Sequence, residues 1–150
     1  MNKVSGILVF IFVVLLITSV SRAEVENKGV ICTDNKAQLV VFQYVGYWFA
    51  DDGFYEEWWF DDKTFQFSQL NKERRWYRNW EATSFKIFLK TSEGNYSHSI
   101  DRTTLEEKRE LRVVGQCKVL NDKNDFFEQL NLIALELKLK EEKRLKKRKI

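Results

Sequence analysis

The sequence has no proline, six glycines and a single histidine among its 150 residues. Collagen-like, polyproline and flexible-linker proteins are therefore excluded, because each needs many glycines, many prolines or both. One histidine also excludes a multi-histidine metal site, and it leaves a Ser/His/Asp triad with one available base, His98. Beyond the N terminus no apolar run is long enough to span a bilayer.

What the sequence does contain is apolar and aromatic surface. Forty-four per cent of the residues are apolar and 15% are aromatic, and all five tryptophans lie between positions 48 and 80. This composition is typical of a packed globule and not of a disordered chain.

The N terminus predicts an export signal. A short positive start with Lys3 precedes eleven uninterrupted apolar residues at 7–17, and small residues follow at Ser21 and Ala23. This three-part pattern favours a signal peptide at 1–23, cleaved after Ala23, with no transmembrane segment left afterwards. A retained anchor is the alternative, although residues 4–20 reach only the lower length limit of a spanning helix. We therefore predict a secreted or periplasmic protein with about 127 residues left to fold, enough for one domain.

Export bears directly on the two cysteines, Cys32 and Cys117. In an oxidising compartment two lone cysteines are expected to pair. The bridge would close a long loop and stabilise the fold by about 4 to 5 kcal/mol in the chain-entropy model. The alternative, a catalytic thiol at Cys117 with His98 as base, requires a reduced pair and an orienting group that the sequence does not identify.

Short segments of period two predict an antiparallel sheet. They lie at 38–49, 54–60, 64–70, 84–90, 96–100 and 109–117, with turns rich in Asp, Asn and Gly between them. Gly46 interrupts the first segment and predicts a bulge or bend there. Six or seven strands fit this space, so the predicted fold is mainly β: a half-closed or small barrel-like meander over 24–121.

The period becomes helical beyond Asn121, in a segment 122–150 that holds the helix and a basic tail. Asp125 and Glu128 resemble a capping box, and an amphipathic helix is predicted over 126–144. Its apolar stripe consists of Phe126, Leu130, Ile133 and Leu137. The stripe is interpreted as packing on the sheet in its first half, with a coiled-coil seam for self-association as an alternative.

Charge is distributed unevenly along the chain. Residues 136–150 carry eight Lys/Arg against three Glu, a net charge of +5, whereas residues 24–135 carry 15 basic and 19 acidic residues, a net charge of −4. The tail is interpreted either as a solvated extension or as a contact to an anionic surface. The residues predicted to make that contact are Lys143, Arg144, Lys146, Lys147, Arg148 and Lys149.

Aromatic residues beside charges supply candidate ligand contacts. The candidates are Trp58, Trp59, Arg75, Trp76 and Trp80, a mixture that suits stacking on a ligand with anionic groups. Six carboxylates at 51–62 surround the first two tryptophans and permit a sugar-binding or glycosidase interpretation through Glu56 and Glu57. Four of the six lie in predicted turns, where Asp is favoured for backbone reasons. Lys72, Arg74, Arg75 and Arg78 are basic, and charge pairing with the acidic residues of neighbouring strands is the simpler interpretation of them.

One segment resembles small exported bacterial proteins of uncharacterised function. Residues 99–105 (SIDRTTL) and 115–118 (GQCK) match an Asp-Arg-Thr turn that leads into a last strand ending Gly-x-Cys. The resemblance covers about twenty residues and implies a secreted β domain whose Cys117 is bridged to an N-terminal cysteine such as Cys32. It implies no activity.

Together these features predict a non-enzymatic secreted or periplasmic binding module with no cofactor and no metal. The alternative is an envelope interaction protein whose helix and basic tail engage anionic lipid or an acidic partner. A glycan-active enzyme is a third possibility. Export argues against nucleic acid as a partner, and the sequence does not identify any other partner.

Overall fold

The computed structural model describes residues 24–34, 43–70, 79–90, 96–109 and 112–148. These segments form nine strands and one helix. The strands are β1 (Lys28–Thr33), β2 (Tyr44–Phe49), β3 (Tyr55–Asp61), β4 (Gln66–Gln69), β5 (Trp80–Ala82), β6 (Lys86–Lys90), β7 (Tyr96–Asp101), β8 (Glu106–Arg109) and β9 (Arg112–Leu120), followed by helix α1 (Lys123–Lys147).

All neighbouring strands are antiparallel, in the order β4-β3-β2-β1-β9-β8-β7-β6-β5. The sheet curls until its two ends approach each other: Phe54 forms an isolated bridge with Asn79, and the Trp80 amide donates to the Gly53 carbonyl at 3.3 Å. The predicted half-closed antiparallel meander with a C-terminal helix is confirmed. The predicted count of six or seven strands was too low, because β1, β5 and β8 were not recognised.

β1 lies at the centre of the sheet, between β2 and β9. Its residues KGVICT are buried from Gly29 to Cys32 on both faces, so the segment lacks the alternation of a half-exposed strand. Cys32 lies directly opposite Cys117 in the β1–β9 register, and the two form a disulfide with an S–S distance of 2.04 Å. The predicted pairing is confirmed.

The two faces of the curled sheet support two separate cores. The inner core consists largely of β-branched, leucine and aromatic side chains: Val25, Val30, Val45, Tyr47, Phe49, Tyr55, Trp80, Ile87, Leu89 and Ile100, with the disulfide. The outer core lies under α1 and consists of Ile31, Trp48, Leu120, Phe126 and Leu130.

Two glycines make room for the helix. A Cβ atom on Gly46 would lie 2.9 Å from Phe126 Cζ, and one on Gly29 would lie 2.8 Å from Phe126 Cγ. Gly46 is paired in regular register with both Ile31 and Trp58, so the bulge or bend predicted there is wrong. Its small size admits the ring of Phe126 instead.

Helix α1 begins earlier than predicted, because its N-cap is Asp122. The Asp122 carboxylate accepts the backbone N–H of Asp125 at 2.9 Å, so Asp125 is not itself the cap. The predicted stripe packs on the sheet: Phe126 and Leu130 are fully buried, and Ile133 and Leu137 are half-buried. That stripe is therefore not a free seam for self-association.

Candidate functional site

The structure does not gather the predicted ligand residues on one surface. Trp58 lies on the outer face, with its ring 4.9 Å from that of Phe127, whereas Trp59 lies on the inner face. Trp80 is 3% exposed inside the curled sheet. Arg75 and Trp76 lie outside the described residues.

The same alternation separates the two candidate catalytic acids. Glu56 is on the outer face, 3.7 Å from Lys123 Nζ, whereas Glu57 is buried on the inner face, where it accepts the Trp59 indole N–H at 2.7 Å. A glycosidase needs two carboxylates on either side of one bond. Glu56 and Glu57 do not form such a pair.

The acidic turns are structural. Asp52 accepts the backbone N–H of Phe54 at 3.1 Å, and Asp61 accepts that of Lys63 at 2.9 Å. The bond from Lys63, together with that from the Thr64 hydroxyl, lowers the pKa of Asp61. The interpretation of these aspartates as turn residues is confirmed.

A polar cluster lies inside the sheet, and sequence reasoning missed it. Glu107 is fully buried and accepts the Tyr47 hydroxyl at 3.0 Å and Arg109 Nε at 3.1 Å. Burial and the neighbouring Glu107 charge raise the pKa of Tyr47 well above its usual value. His98 completes the surroundings, half-buried with its ring centroid 6.5 Å from that of Tyr47.

Glu107 is also close to the disulfide. A carboxylate oxygen of Glu107 and the sulfurs of Cys32 and Cys117 lie within 4.8 Å of one another. Metals bind thiolates, and a disulfide offers none. These three residues therefore form no metal site while the cysteines are paired. Glu107 instead accepts hydrogen bonds from Tyr47 and Arg109.

A cavity of about 180 Å³ opens at the mouth of the curled sheet where β1 begins and β9 ends. We call it the mouth cavity. Aliphatic side chains form its wall: Val25, Val30, Ile87, Ile100, Leu105 and Val119. Three charged residues form its rim: Glu24, Lys28 and Arg102.

The turn after β7 places Arg102 on this rim. Asp101 accepts the backbone N–H groups of Thr103 and Thr104, each at 2.9 Å, which lowers the pKa of Asp101. The tight turn ends at Leu105 with a φ of 57° and directs its side chain into the cavity wall. Ile100, Arg102 and Leu105 thus form one side of the mouth cavity.

Two contacts hold the Arg102 guanidinium in place. Its Nη1 donates to the Thr83 carbonyl at 2.7 Å, and its Nη2 pairs with the Glu24 carboxylate. Glu24 is 78 positions away from Arg102 in the chain. With Lys28 the rim keeps a net charge of +1, because Glu24 offsets one of the two cations.

The predicted basic surface lies on the last turns of α1. Lys143, Arg144, Lys146, Lys147 and Arg148 are exposed, and Lys149 lies outside the described residues. Arg144 donates from Nε to Glu141 Oε2 at 2.5 Å and lowers the pKa of Glu141. This pair closes one side of an open groove of about 430 Å³ between α1 and the β3–β4 turn.

Comparisons with protein-family models, curated proteins and solved structures give no match to this chain. Over the described ranges, no helix combines the length and the apolar character that crossing a membrane requires.

Proposed function

We propose that this chain is an exported, non-enzymatic β domain that binds a small apolar ligand carrying an anionic group, and that the mouth cavity is its binding site. The observation that carries the proposal is the aliphatic cavity with Arg102 and Lys28 on its rim. Ligand sites are typically concave and apolar, with a few polar groups that orient the ligand.

The size of the cavity limits the ligand. An apolar protein cavity of about 150 Å³ accepts benzene. The mouth cavity, at about 180 Å³, suits a short aliphatic chain or one ring rather than a long lipid. Much of the remaining inner face is filled by rings, since Tyr47, Phe49 and Tyr55 are almost fully buried.

The rim favours a negative group at the ligand's polar end. Arg102 is held by the Thr83 carbonyl, so its guanidinium stays oriented when Glu24 moves away. Glu24 is the more exposed member of the pair, with 56% of its side chain accessible against 19% for Arg102. A ligand carboxylate can therefore replace Glu24 at Arg102, because surface ion pairs contribute little stability of their own.

The disulfide supports export. Cross-links of this kind persist in secreted and periplasmic proteins and are rare in the reducing cytosol. Together with the signal pattern of residues 1–23, this favours a ligand met outside the cytosol.

Binding is tested by NMR titration with hexanoate, with hexylamine as the probe of opposite charge. We expect hexanoate to change the amide chemical shifts of Val30, Ile100 and Leu105, and hexylamine to change them less. Val119→Trp fills the exposed side of the cavity and should abolish them. Equal shifts in the Val119→Trp protein would refute the site.

Two rim substitutions separate charge from packing. Arg102→Gln should weaken hexanoate binding about tenfold, whereas Glu24→Gln should strengthen it about threefold by removing the competing carboxylate. Arg112→Gln, at the far end of β9, is the matched control and should leave binding unchanged. Weaker hexanoate binding to the Glu24→Gln protein would contradict the proposed role of the rim.

A further inference from the structure

Helix α1 carries a second apolar stripe on the side away from the sheet. Leu132, Leu135 and Leu139 are 48%, 54% and 46% exposed. Their spacing of three and four residues puts them on one side of a helix. The buried residues of the helix, Phe126, Leu130 and Ala134, lie on the opposite side. We call the leucines and the charged residues in line with them the outer stripe.

The two ends of the outer stripe carry opposite charges. Asp125 and Glu128 precede the leucines at the same helical spacing, and all are exposed. After the leucines, Lys143 and Lys146 lie on this side, with Glu142 at its edge. The stripe therefore runs from acidic through apolar to basic along the helix.

We propose that a second copy of this chain covers the outer stripe, with the two α1 helices antiparallel about a two-fold axis. This arrangement puts Leu135 beside Leu139 of the partner subunit. It also brings Glu128 near Lys146 of the partner subunit, and by symmetry the reverse. A parallel pair would instead put like charges opposite each other, which is destabilising.

The area of the stripe sets the strength of this dimer. In this register the two helices overlap over residues 127–147, a length of about 31 Å, and a helix is about 10 Å wide, so the contact covers on the order of 310 Å² per subunit. Stable interfaces bury about 800 Å² per partner. We therefore expect a dissociation constant of roughly 10 to 100 µM, with the dimer forming reversibly as concentration rises.

The first experiment is sedimentation equilibrium of the purified full chain, with its N terminus established by mass spectrometry. The wild-type protein should shift from monomer to dimer over the expected concentration range. Leu135→Glu should weaken association at least about tenfold, since it places a charge in the apolar centre. Leu145→Glu is the matched control, because Leu145 is 46% exposed on the same helix but lies off the stripe.

A charge exchange tests the antiparallel register. Glu128→Lys and Lys146→Glu should each weaken the dimer about three- to tenfold, and the double variant should recover wild-type affinity. Within one helix these two positions are about 27 Å apart, too far to interact with each other. Recovery therefore reports a contact between chains, whereas additive losses would overturn the register.

The competing occupant of this surface is an anionic membrane, which the basic tail also suits. Vesicles of phosphatidylcholine with and without phosphatidylglycerol, sedimented with the protein, distinguish the two. We expect the Leu135→Glu protein to lose dimerisation while vesicle binding is weak and unaltered. A chain that stays monomeric at every concentration, or that binds anionic vesicles through Leu135, would overturn the proposal. Circular dichroism and thermal midpoints of each variant establish that the fold is intact.

Discussion

The ring of Phe126 occupies the position that a side chain on Gly29 would need, with Phe126 Cγ 2.8 Å from an ideal Cβ atom. The strand residue and the helix residue are 97 positions apart in the chain. This contact fixes how closely α1 approaches the sheet.

Gly29→Ala should destabilise the fold by about 1 to 3 kcal/mol, because the added methyl group overpacks a filled contact. Phe126→Leu alone leaves a void and has a cost of its own. In the Phe126→Leu background, Gly29→Ala should lower the free energy of unfolding by less, since the smaller leucine side chain leaves space for the added methyl group. Urea unfolding of the four proteins measures this coupling, and strictly additive losses would contradict the contact.

Removing the disulfide should have a larger effect. Replacing both cysteines by alanine should lower the free energy of unfolding by about 4 to 5 kcal/mol, because the bridge joins residues 85 positions apart. Urea unfolding of the double variant and of the reduced wild-type protein should agree. A loss below about 1 kcal/mol in both would show that the cross-link does little to restrain the unfolded chain.

Tyr47→Phe should affect stability differently at neutral and alkaline pH. At pH 7 the change removes a buried hydrogen bond to a carboxylate, at a cost of about 1.5 to 3 kcal/mol. Because the folded pKa of Tyr47 is raised, its stabilising effect is present below the unfolded pKa of about 10 and is lost as pH rises through the folded value.

The difference between wild type and Tyr47→Phe should therefore shrink above about pH 10. Thermal midpoints recorded at neutral and alkaline pH measure this difference. Tyr55→Phe is the comparison, since Tyr55 is also buried on the inner face. A Tyr47→Phe deficit that grows with pH would contradict the expected linkage.

Asp101 should give the opposite pH response. Its folded pKa is lowered by backbone donors, so its contribution is present above the unfolded pKa and is lost as pH falls through the folded value. Asp101→Ala should lower the thermal midpoint at pH 7, and the deficit should diminish below about pH 4. Asp101→Asn keeps the acceptor without the charge and should show a smaller deficit. A pH-independent deficit in the alanine variant would refute the linkage.

Local patterns predicted much of this architecture. Period-two segments such as β3 and β6 were recognisable because one set of side chains faces a core and the other does not. β1 was missed because a central strand buried on both faces loses that alternation. The disulfide was predicted from the cysteine count together with the expected export, since two lone cysteines in an oxidising compartment pair with each other.

The candidate site was harder to predict, for a physical reason. Glu107 lies in a charged stretch, EEKRE, whose composition is typical of a solvent-exposed segment. Its partner Tyr47 is 60 positions away on β2, and only the folded sheet brings the two together. The mouth cavity likewise needs Val30, Ile100 and Val119 from three separate strands. On α1, periodicity predicted the apolar stripe that meets the sheet, whereas the second stripe of Leu132, Leu135 and Leu139 was not recognised.

The central position of β1 also affects how the chain folds during synthesis. β1 and β2 leave the ribosome early, but the other edge of β1 has no partner until β9 has been made. A nascent chain, or a product truncated before Arg112, therefore exposes an open strand edge that readily pairs with other chains. Pairing of β1 with β9, rather than local folding, therefore determines when this strand edge is protected from aggregation.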